Sequence, residues 1–117
     1  MCSCSNPDHI YIDIKKQAIV SCNGVGLDHI EIKSDSSNIT LEGTQPIVYF
    51  NKENDVSRTS LYNEVIYNYV LKLKPNCNYQ LVKYNGSDRG SFIITFKTND
   101  SAKVTTASVL NCNVVQN

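Results

Sequence analysis

The chain has 117 residues, with eleven basic and eleven acidic side chains and no run of either sign. That length suits one domain able to bury a core without a metal or cofactor, and the balanced charge argues against nucleic acid or an anionic membrane surface as partner. No apolar stretch approaches the ~20 residues that span a bilayer, and abundant Asn, Ser, Tyr, Ile and Val beside scarce Ala describe a β-former with turn punctuation.

The first residues, Met1-Cys2-Ser3-Cys4-Ser5-Asn6-Pro7, look like a bacterial lipoprotein cut at its lipid-bearing cysteine, Met1 standing where a signal peptide has been removed. On that reading residues 1–8 are an N-terminal linker lipidated at Cys2, and 9–117 form one domain. His9 to Lys15 alternates, with Ile10, Ile12 and Ile14 on one face, and Gln17 to Cys22 follows a short basic turn, which predicts a hairpin. After the turn at 23–26, Ile30 and Ile32 face inward. Two short apolar stretches, Ile39 to Leu41 and Ile47 to Phe50, then flank Gly43 and Pro46.

Asn51 to Ser60 is the most polar stretch and reads either as a mobile loop or as the first turn of a short helix continued by Leu61. Val65 to Leu73 alternates again, with Val65, Tyr67, Tyr69, Leu71 and Leu73 on one side. Tyr79 to Tyr84 and the face Phe92, Ile94, Phe96 predict a second hairpin around a six-residue loop, 85–90. The tail, 101–117, reads as one more edge strand or as partly disordered. Between the runs Val65 to Leu73 and Tyr79 to Tyr84 lies Leu73-Lys74-Pro75-Asn76-Cys77-Asn78-Tyr79. Its L-x-P-x-x-x-Y spacing resembles the corner of fibronectin-type-III sandwiches, where a proline turn ends one strand and a tyrosine hydroxyl bonds back to the corner backbone. Leu73, Pro75 and Tyr79 are its structural residues. Seven to eight short strands with frequent turns and no amphipathic helix predict an all-β, antiparallel two-sheet sandwich of immunoglobulin or fibronectin kind.

Five cysteines are many for a small protein, and none has C-x-x-C spacing. With Cys2 lipidated, Cys4, Cys22, Cys77 and Cys112 remain to pair. A seven-residue strand is roughly 23 Å long, whereas a disulfide needs Cα atoms within about 7 Å. Cys22 and Cys77 fall at opposite ends of the expected sandwich, so the pairing expected is Cys4–Cys22 with Cys77–Cys112.

Candidate chemistry is sparse. The echo Asp8-His9-Ile10 and Asp28-His29-Ile30 could assemble two imidazoles and two carboxylates, but it also reads simply as two strand starts, and no metal or other cofactor is expected. No nucleophile–base pattern or phosphate loop is present, which argues against an enzyme. The binding groups expected on loops are Lys52, Glu53, Asp55 and Arg58 in 51–60, and Asp88 and Arg89 in 85–90.

Several blocks resemble a family of small periplasmic lipoproteins described as type VI secretion immunity proteins. They are Ala18 to Cys22, the pair Ile30 and Ile32, Pro46 to Phe50, Tyr69 to Tyr79 with its Lys-Pro corner, and Phe92 with Phe96. The resemblance implies an anchored sandwich in the periplasm or outer membrane that binds and blocks a toxic effector. The other function class open to such a chain is a structural or adhesive module of an envelope assembly. A neighbouring toxin gene would favour the first, a pilus or surface-layer operon the second.

Overall fold

The computed structural model describes residues 9–22, 24, 27, 30–35, 37–42, 45–54, 57–59, 65–66, 69–84 and 91–112. Cys2, Cys4, Asp55, Asp88 and Arg89 lie outside them, as do Asp8, Asp28 and His29. The described chain is all-β. Its strands are β1 (Ile10–Asp13), β2 (Ala18–Ser21), β3 (Ile30–Lys33), β4 (Asn38–Glu42), β5 (Ile47–Tyr49), β6 (Glu53–Asn54), β7 (Ser57–Thr59), β8 (Val65–Ile66), β9 (Tyr69–Val70), β10 (Asn78–Tyr84), β11 (Ser91–Thr98) and β12 (Val104–Ala107). One sheet runs β1-β2-β5. The larger runs β12-β11-β10-β3-β4-β7-β8, and β6 and β9 form a short ribbon. All the ladders are antiparallel.

Period-2 patterning explains which face each strand buries. In the small sheet Ile12 opposes Ile19, which opposes Val48, and all three are buried. In the large sheet one inward rung is Ile39–Ile32–Leu81–Ile94 and the next is Leu41–Ile30–Lys83–Phe92. These faces meet in a single core that also takes Leu27, Phe50, Leu71, Leu73 and Val109. Each such side chain contributes roughly 2 kcal/mol relative to exposure. The Lys83 side chain stands on the inward rung at 7% exposure.

The described residues hold twelve strand segments rather than seven or eight, because runs that alternate continuously are divided in space. Val65 to Leu73 is the clearest case. β8 pairs with β7 at the edge of the large sheet, β9 pairs with β6, and Leu71 bridges Phe50. The chain therefore changes layers within a stretch whose polarity alternates throughout. In Asn51 to Ser60 the described residues, 51–54 and 57–59, are neither free loop nor helix, and the expected continuation at Leu61 lies outside the described residues. They supply β6 and β7.

The corner at 73–79 brings the chain back to the large sheet with its backbone groups satisfied, as burial demands. Leu73 N–H donates to Asn51 Oδ1 (2.8 Å), Lys74 N–H to the Tyr79 hydroxyl (2.8 Å), Asn76 N–H to Asn99 C=O (2.9 Å) and Cys77 N–H to Thr98 Oγ1 (3.0 Å). Pro75 has no donor to place. Tyr79 is 4% exposed and stacks on Phe96 at 5.2 Å between centroids.

The disulfide joins Cys22 to Cys112, with Cα atoms 5.7 Å apart. This corrects both expected pairings, Cys4–Cys22 and Cys77–Cys112. Cys77 is a free, half-buried thiol beneath the corner. The reason is the path of the tail after β12. It crosses onto β1, where Ile12 N–H donates to Val109 C=O (3.1 Å), and Val109 is buried. Three residues further on, Cys112 meets Cys22, whose own N–H bonds His9 C=O (3.0 Å).

Candidate functional site

The binding residues expected on one polar loop are divided between places. Asn51 takes a left-handed backbone (φ 61°), and its amide accepts from Leu73 N–H while donating to Ala102 C=O (2.9 Å). Asn54 is buried, where Oδ1 accepts Tyr49 N–H (2.7 Å) and Nδ2 donates to Tyr49 C=O (3.0 Å). Two side-chain amides thus stand in for backbone partners and tie the segment down. Lys52 is exposed, with Nζ 4.4 Å from the centroid of the Tyr49 ring. Glu53 is exposed on β6 and borders a hollow of about 340 Å³ shared with Gln45, Pro46, Ile47, Tyr49 and Asn54. Arg58 sits in β7, between Glu42 of β4 and Val65 of β8 in register. Lys52 therefore stands in the bend before β6, and Arg58 in β7 at the edge of the large sheet.

A larger concavity, about 620 Å³, lies against the outer face of the large sheet. Its lining follows from the alternation that builds the core. With Tyr79, Leu81, Ile94 and Phe96 turned inward, their neighbours along β10 and β11 must point out. One outward rung carries Lys33, Gln80 and Thr95, and the next carries Asn78, Lys97 and Thr106. The Ser34–Asp35 turn closes one side, and Ser108 the other, where Thr95 N–H donates to Ser108 Oγ (3.0 Å) and Ser108 N–H to Thr95 C=O (2.9 Å). Lys33 Nζ is 3.2 Å from Glu31 Oε1 on the same strand. The groove presents hydroxyls, carboxamides, two ammonium groups and the Asp35 carboxylate beside apolar surface, a set that can read the polar edge of another molecule without desolvating an isolated charge.

None of these groove residues stood out in the sequence. Their polarity at alternate positions was visible, but that β3 lies beside β10 and β12 beside β11 was not. His9, one half of the histidine echo, stacks on Phe92 with centroids 4.8 Å apart. Among the described residues no three His, Cys, Asp or Glu side chains gather into a metal-binding group. Compared with protein-family models, curated proteins and solved structures, the chain matches none.

Proposed function

We propose that this chain is an inhibitory protein-binding domain of the bacterial envelope, an immunity protein that neutralises an enzyme delivered by type VI secretion. The observation that carries the reading is the groove of mixed polar and apolar lining on the outer face of the larger sheet, in a tightly braced sandwich. Rigid scaffolds with preformed concave faces lose little entropy on binding, which suits an inhibitor that must hold its target continuously. The Cys22–Cys112 disulfide supports an oxidising compartment such as the periplasm. The blocks that resemble immunity lipoproteins, among them Pro46 to Phe50 and the Lys-Pro corner, point the same way.

Co-expression with the toxin encoded beside its gene tests the proposal. The chain is expected to restore growth and to form a stable complex, and Gln80→Trp, which fills the groove, is expected to weaken that complex at least about tenfold with the melting temperature unchanged. A neighbouring toxin that neither binds the chain nor is neutralised by it would overturn the reading.

A further inference from the structure

Six exposed lysines stand on turns that meet at one end of the sandwich. Lys15 and Lys16 lie between β1 and β2, Lys52 follows β5, Lys72 and Lys74 flank Leu73, and Lys103 precedes β12. Hydrogen bonds draw these turns together. Gln17 Nε2 donates to Val104 C=O (2.9 Å) and Gln17 Oε1 accepts Val104 N–H (2.8 Å). Phe50 N–H donates to Gln17 C=O (2.9 Å), and Asn51 links Leu73 to Ala102. Every one of the six lysines lies within two residues of a partner in these bonds. Among the described residues three carboxylates share the region. Asp13 Oδ1 accepts Lys16 N–H (3.0 Å), and Glu53 and Asp100 are exposed. A chain of zero formal net charge thus concentrates positive charge at one end.

The backbone there is also unusual. Gln17, Asn51, Asn76 and Ala102 all hold positive φ, between 54° and 63°. Each such non-glycine residue costs about 1–2 kcal/mol, and strain of this kind tends to gather at functional sites. Here the amide bonds just described hold three of the strained turns in place, so the lysine stems leave from fixed points. That lowers the ordering cost of any contact they make.

We propose that this lysine end is a docking surface for an acidic face of a partner protein; the inference rests on the protein-binding reading above and assigns it a second contact. A protein partner fits better than nucleic acid. Duplex DNA carries one negative charge per about 1.7 Å of its axis, which the exposed carboxylates of Glu53 and Asp100 would oppose. Among the described residues the cations gathered there are all lysines, without the arginine forks suited to phosphate. Discrete carboxylates on a protein can instead register with the ammonium groups while basic groups meet Glu53 and Asp100.

The test titrates the intact, isotopically labelled protein with poly-L-glutamate and, separately, with duplex DNA, following backbone amides by NMR. Expected are saturable shifts from poly-L-glutamate confined to the turns at 15–17, 51–53, 72–74 and 99–104. Combining Lys16→Glu, Lys72→Glu and Lys103→Glu is expected to weaken that binding about tenfold. An unchanged thermal midpoint in this variant shows that the fold is retained. Shifts spread equally over Lys33 and Lys97, no shifts at all, or tighter binding of DNA than of poly-L-glutamate would overturn the inference. A cognate toxin that bound the triple variant as tightly as the parent would also overturn it, while leaving the protein-binding function standing.

Discussion

Tyr79 combines two tasks that a phenylalanine could only half perform. Its ring fills the core against Phe96, and its hydroxyl meets Lys74 N–H at 2.8 Å, where the chain is leaving one layer for another. Tyr79→Phe keeps the ring and removes the acceptor, so it is expected to destabilise the domain by about 1 kcal/mol, measured by urea unfolding. An unchanged midpoint would show that water serves Lys74 equally well. This residue was legible in the sequence because its partner is five positions away and the proline between them limits the path. Cys77, in the same corner, was not. Its thiol stays unpaired because of where residue 112 ends up, which nothing near position 77 specifies.

At the scale of elements, the first hairpin has the expected strands but an unexpected joint. Gln17 closes the turn with its N–H on Ile14 C=O (3.2 Å), then offers its carboxamide to both backbone groups of Val104 as an additional strand would. Gln17→Ala leaves that N–H and C=O without these part-buried partners and is expected to cost about 2 kcal/mol. Amide exchange at Val104 should quicken far more than at Ile94 in the sheet interior. Equal protection at both positions would show that the joint contributes little. The polar stretch after Phe50 misled for a related reason. Asn51 and Asn54 read as solvated turn residues, yet their amides bond backbone at Leu73, Ala102 and Tyr49, so the segment is braced and not free. Side-chain amides that replace backbone partners carry no periodic signature.

For the whole molecule, the Cys22–Cys112 bridge closes a loop with a sequence separation of 90 residues and fixes the tail across β1. In the chain-entropy account, closing a loop of this size constrains the unfolded state by about 4 to 5 kcal/mol. Reduction, or the pair Cys22→Ser and Cys112→Ser, is therefore expected to lower the unfolding free energy by up to about that amount, with Cys77→Ser having little effect. A reduced protein as stable as the oxidised one would mean that Val109 and its backbone bond hold the tail unaided. By itself the sequence determined the all-β class, the buried faces of Ile10–Ile12, Ile30–Ile32, Leu71–Leu73 and Phe92–Phe96, and the tyrosine corner. Those depend on a residue and its neighbours two to six positions away, and alternation demands one buried face whichever strand lies alongside. Only the tertiary structure decided the order β12-β11-β10-β3-β4-β7-β8, the cysteine pairing, the groove and the gathering of lysines at one end. Each of these joins residues far apart in the chain, and what selects them is the collective fit of two sheets around one core, a free energy that no single segment carries.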